Sequence, residues 1–119
     1  MKVSRGDVVL INHPFSDASG SKVRPALVLQ NNRRNVALSE TIVAIISKNA
    51  RYVATDPTQL LIDLGTPDGK ASGLNLSSAV KCGKLFTIDE SLVFRRIGTL
   101  SPAFMSQIGD CLKSALELS

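Results

Sequence analysis

Most of the chemistry open to this chain starts from one arginine. Arg24 heads the run Arg24-Pro25-Ala26-Leu27-Val28-Leu29-Gln30-Asn31, which is entered through Gly20-Ser21-Lys22. Pro25 fixes its own φ and drives the residue before it toward extended backbone, while the apolar run behind it calls for burial. A guanidinium held that way stays charged at every working pH and offers a fork of donors matched to phosphate. The same placement also suits a weak ion pair at a strand start, and the residues alone leave both readings open. Two further polar groups sit in strand-like surroundings: Ser47, closing an apolar run, and Lys81, inside a later one. A hydroxyl and an ammonium can both hold an anion. Ser47 can equally satisfy its own strand end, and Lys81 can equally be a solvated position.

Other chemistries are poorly provided for. His13 is the one histidine, and Cys82 and Cys111 lie far apart with no Cys-x-x-Cys spacing, so neither a multi-histidine metal site nor a cysteine cluster is expected. The stretch Gly65-Thr66-Pro67-Asp68-Gly69-Lys70-Ala71-Ser72-Gly73 is glycine-rich but lacks Gly-Lys-Ser/Thr in register, which argues against a nucleoside triphosphatase. The two thiols are expected to be reduced and partly buried.

With 119 residues, 44% of them hydrophobic and 20% charged, the chain is expected to form one domain over 1–119. Fourteen Lys and Arg against ten Asp and Glu give a net charge of +4, compatible with a polyanionic partner. The start, Met1-Lys2-Val3-Ser4-Arg5-Gly6-Asp7, has no apolar h-region and no run long enough to span a bilayer follows, so a cytoplasmic location and no membrane partner are expected.

Short apolar runs predict the elements that must carry these groups. Strands are expected over Asp7–Asn12, Pro25–Gln30, Thr41–Ser47, Gln59–Leu64, Ser78–Thr87 and Val93–Leu100. Gly83 should interrupt the fifth as a bulge or a close backbone approach. Residues 14–22 read as a turn-rich loop, 31–39 as a polar bend and 65–73 as turns. From Ser101 the period changes: Phe104, Ile108, Leu112, Ala115 and Leu116 recur at helical spacing, with Ser101 as N-cap and Pro102 in the first turn. The expected architecture is a small antiparallel β-barrel with a C-terminal amphipathic helix.

The segments Arg5-Gly6-Asp7-Val8-Val9, Arg24 to Asn31, Ile42-Val43-Ala44-Ile45-Ile46-Ser47, Thr87-Ile88-Asp89 and Arg96-Ile97-Gly98, ahead of a terminal helix, follow each other in an order and spacing that resembles the MazF/PemK (Kid) toxins over essentially the whole chain. The resemblance implies an SH3-like, CcdB/PemK-like barrel that pairs as a homodimer. It also implies a toxin of a type II toxin–antitoxin pair: an endoribonuclease that needs no metal or other cofactor. Such an enzyme cuts single-stranded RNA by 2′-hydroxyl attack, leaving a 2′,3′-cyclic phosphate and a 5′-hydroxyl. Its partners would be RNA and a cognate antitoxin, with operator DNA met only through the antitoxin.

Arg24 matches the catalytic arginine of the family's Arg-Pro motif, and Ser47 the Thr or Ser that ends its third strand. Lys81 stands where some members carry an arginine. Lys22, Lys48 and Lys84 would add RNA-binding charge, Phe15 could stack on a splayed base, and Arg33, Arg34 and Arg51 could extend a basic rim. One departure is chemical: where relatives place an acid two residues beyond that arginine, this chain has Gly83, which leaves the proton acceptor unassigned. The competing reading is a non-catalytic module of the same fold, such as a CcdB-like DNA gyrase inhibitor. The end Leu116-Glu117-Leu118-Ser119 lacks the tryptophan expected of that branch.

Overall fold

A computed structural model of the protein describes residues 1–13 and 22–119. Its centre is one antiparallel sheet of six strands: β1 (Asp7–His13), β2 (Lys22–Val28), β3 (Glu40–Ser47), β4 (Gln59–Ile62), β5 (Ser78–Asp89) and β6 (Val93–Thr99). They lie in the order β4-β5-β3-β2-β1-β6, with β4 and β6 as edges. Three helices accompany them: α1 (Asn32–Ala37), α2 (Pro67–Ala71) and α3 (Pro102–Leu116).

Strand alternation sorts the apolar side chains onto two buried faces. On one, Val8, Leu27, Leu29, Ala44, Ile46, Ile62, Val80 and Cys82 meet Phe104, Met105, Ile108 and Cys111 of α3. On the other, Val9, Ile11, Ala26, Val28, Val43, Ile45, Ile88 and Val93 meet each other. Among the described residues the one helical contribution to that second cluster is Leu92, from the 3-10 turn Glu90–Leu92, so the sheet itself must curl over most of it to exclude water. The curl makes the molecule barrel-like, although the two edge strands leave the sheet unclosed and barrel is only an approximate word for it.

The terminal helix begins as its sequence requires. Ser101 Oγ accepts from the Phe104 N–H at 3.1 Å and donates to Asp68 Oδ2 at 2.9 Å, while the Ser101 N–H donates to Asp68 Oδ1 at 2.7 Å. One carboxylate of α2 therefore fixes the N-cap of α3. Gly83 does sit in a bulge: the β3–β5 register runs from Ala44↔Leu85 to Ile45↔Lys81, leaving Cys82, Gly83 and Lys84 without partners on β3. No atom beyond its chain neighbours comes within 4 Å of where a Gly83 Cβ would stand, so close backbone approach is not the reason for this glycine.

Some boundaries differ from the sequence expectation. β2 starts at Lys22 and not Pro25, because β1 extends to His13 and pairs there with Lys22. Arg24 is thus inside a strand, opposite Ile11, and not at a strand start. The polar bend holds α1, capped by Asn31 Oδ1 accepting from the Arg34 N–H at 2.9 Å. The glycine-rich turns hold α2, with Thr66 Oγ1 accepting from the Gly69 N–H at 3.1 Å. Both helices are too short to show an apolar period.

Candidate active site

The β2–β3 ladder ends at Ala26↔Ile45. Carried two residues further, the same antiparallel register sets Arg24 opposite Ser47, at the point where ladder hydrogen bonding stops and the strands fork. Alternation puts both on the face shared by Ala26 and Ile45. A cleft of about 790 Å³ opens at the fork, lined by Val23, Arg24, Pro25, Ile45, Ile46, Ser47, Lys48, Gly83, Lys84, Leu85 and Phe86. Arg24 is exposed and Ser47 half-buried. The Ser47 Oγ accepts from the Asn49 N–H at 3.1 Å, which fixes the hydroxyl while its own proton stays available to an acceptor.

The cleft is cationic. Arg24, Lys48 and Lys84 line it, with Lys22 exposed on the same strand face as Arg24, and none of the described lining residues carries a carboxyl or imidazole. The ion pairs among the described residues are Lys2–Glu90 at 3.3 Å and Arg96–Asp7 at 4.0 Å, so no described acid pairs with these four. Leu85 and Phe86 form an apolar wall. A set of cations with no described ion-pair partner around a fixed hydroxyl, next to an apolar surface, is suited to gripping an anionic chain with flat apolar substituents.

Lys81 is placed differently. Its register partners are Ile45 on β3 and Gln59 on β4, and its Nζ donates to Gln59 Oε1 at 3.0 Å instead of lining the cleft. Gln59 Nε2 in turn donates to Asp56 Oδ2 at 2.9 Å. The Thr58 backbone N–H, then the Thr58 hydroxyl, hold the Asp56 carboxyl below the ordinary carboxylate range, and Lys81 adds a smaller push in the same direction. Arg33 and Arg34 are on α1, between the end of β2 and the start of β3, at the far end of those strands from the cleft. Arg51 lies over the exposed ring of Tyr52, 6.0 Å from its centroid. Phe15 lies outside the described residues; the aromatic on the cleft wall is Phe86, which sequence reasoning passed over because its role depends on the bulge register. Cys82 and Cys111 are free and buried. Burial, with Cys111 beside it, pushes the Cys82 thiol up to about 12.

A curled antiparallel sheet, a helix sealing one face and a basic cleft where two central strands part define the class of molecule. The chain belongs to the PemK-like, MazF-like toxins of type II toxin–antitoxin systems, whose family model matches residues 4–116. It is 30% identical over 119 residues to endoribonuclease EndoA of Bacillus subtilis, covering 99% of this chain and 97% of that one. It is 24% identical over 118 residues to endoribonuclease MazF9 of Mycobacterium tuberculosis, covering 96% of each. The fold is shared with an endoribonuclease solved in complex with its cognate antitoxin from a mycobacterial species, at a TM-score of 0.77 and 23% identity over 98% of this chain and 97% of that one.

Proposed function

We propose that this toxin is a metal-independent endoribonuclease acting on single-stranded RNA. The observation that carries the reading is that Arg24 of β2 and Ser47 of β3 line one cleft just past the end of the β2–β3 ladder, with no described carboxylate among its lining residues. The names of the relatives support the activity, and EndoA and MazF9 are both endoribonucleases by name.

In the proposed step the 2′-oxygen attacks the adjacent phosphorus, the bond from phosphorus to the 5′-oxygen breaks, and the products are a 2′,3′-cyclic phosphate and a 5′-hydroxyl. Charge grows on the non-bridging oxygens and on the departing oxygen, so fixed donors accelerate the step. Arg24 stabilises the crowded phosphate and protonates the leaving 5′-oxygen. The Ser47 hydroxyl donates to a non-bridging oxygen. Lys22, Lys48 and Lys84 hold flanking phosphates, and the Leu85–Phe86 wall receives a base. With glycine at 83, the 2′ proton passes to water in the open cleft. The decisive experiment is incubation of purified protein with a long RNA in EDTA: cleavage is expected, and its absence, or equal cleavage by Arg24→Ala, removes the reading.

A homodimer, and an antitoxin that lays an acidic segment over the same basic cleft, belong to this proposal. A monomer mass that does not change with concentration would remove the first. Gly83 favours one second reading, a non-catalytic poison of the same fold. Topoisomerase inhibition with RNA left intact would select it.

A further inference from the structure

On the ribonuclease reading above, we infer that Lys84, and not Lys81, is the second cationic catalytic residue of the cleft. In an unbroken strand Lys84 would share the face of Cys82, beneath α3. Cys82 does lie there, buried in the cluster with Phe104, Ile108 and Cys111. Lys84 does not: it is exposed and lines the cleft with Gly83 and Leu85. The cause is the bulge, which takes Cys82, Gly83 and Lys84 out of the β3 ladder and turns Lys84 toward the wall facing Arg24.

The two lysines also differ in what holds them. The Lys81 ammonium is bonded to Gln59, whose amide is bonded to Asp56, and swinging it into the cleft would break that chain beside a carboxylate. Lys84 has no hydrogen bond or ion pair among the described residues, so its ammonium is free to follow a phosphate. The attack leaves phosphorus with five oxygens and extra charge on the non-bridging pair. Arg24 meets that charge from β2 and Lys84 from β5. Lys84 gains or loses no covalent bond; Arg24 passes one N–H proton to the leaving 5′-oxygen and regains it from water, and the other bond changes are those already given. Lysine binds as a point charge, so it needs no fixed approach angle and tolerates a bulge as its platform.

The test uses the full-length protein and a short RNA with one cleavage site, together with the same oligonucleotide carrying a 2′-deoxy group there, which binds without reacting. For Lys84→Ala the saturated single-turnover rate should fall about 10²-fold, the scale for removing one transition-state donor. The Kd for the 2′-deoxy strand should move by less than about tenfold, as expected for one phosphate contact. Lys84→Arg should recover part of the rate, and the loss in Lys84→Ala should exceed that in Lys81→Ala by about tenfold or more. A Lys84→Ala rate near wild type, a loss confined to Kd, or an equal or larger loss for Lys81→Ala overturns the assignment while the ribonuclease reading stands. If the wild-type protein cleaves nothing, the ribonuclease reading falls first and this one with it. Lys84 is exposed, so matching thermal melts will show that the variants fold.

Discussion

Arg24 and Gly83 bear on the proposed chemistry in opposite ways, one by what it supplies and one by what it leaves out. Removing the guanidinium with Arg24→Ala should lower the cleavage rate by about 10²–10³, read by gel on a defined RNA. If, as proposed, the 2′ proton goes to solvent, the logarithm of the rate should climb with pH at a slope of about one through neutrality. Gly83→Asp introduces a carboxylate into open space, with nothing within 4 Å of the new Cβ. Ionised above about pH 4, it should raise the rate at neutral pH and flatten the profile there. An unchanged pH slope in Gly83→Asp would show that position 83 does not reach the 2′-hydroxyl. At this scale the sequence was legible where backbone chemistry is local: Arg-Pro marks an extended arginine, and Gly83 marks a bulge. It was not legible for Lys81 against Lys84, because a bulge changes which residue faces the cleft without altering composition, and only the pairing with β3 and β4 reveals it.

Elements are fixed here by a few tight approaches. At Gly98 of β6 an added Cβ would stand 2.1 Å from the Ala71 carbonyl oxygen at the end of α2, and 2.4 Å from Ser72 backbone atoms. Backbone cannot yield as a flexible side chain does, so Gly98→Ala should destabilise the fold by about 1–3 kcal/mol or more in chemical denaturation. Cys82 gives α3 and β5 a pH signature. Its thiol rises from the ordinary 9.0 to about 12, so the folded state holds that proton more tightly than the unfolded chain does. The resulting stability is full below about pH 9.0 and is lost as pH rises toward about 12. Melts across that range should fall steeply for the wild type and less steeply for Cys82→Ala. The strands and α3 were legible because apolar runs and a helical period span many residues. The short helices α1 and α2 were not, since each rests on one side-chain cap and a single turn.

Taken whole, the molecule separates charge from core: two buried clusters hold the curled sheet, and the cations gather at one fork in it. If Lys22, Arg24, Lys48 and Lys84 all meet phosphates, the logarithm of RNA affinity should fall against the logarithm of salt with a slope of about −2 to −3. A slope near zero in filter binding would mean that the cleft does not read the backbone. Among the described residues no helix is long and apolar enough to cross a membrane. The sequence pointed to a barrel-like sheet, but the unclosed edges were beyond it, because they depend on how six strands are ordered and not on any one of them. The uncrowded bulge has a last consequence, for inheritance. Any glycine codon becomes one for aspartate or glutamate by a single transition at its middle base, and here that change meets no steric resistance. Selection can therefore strengthen or blunt this toxin one nucleotide at a time while its architecture stays the same.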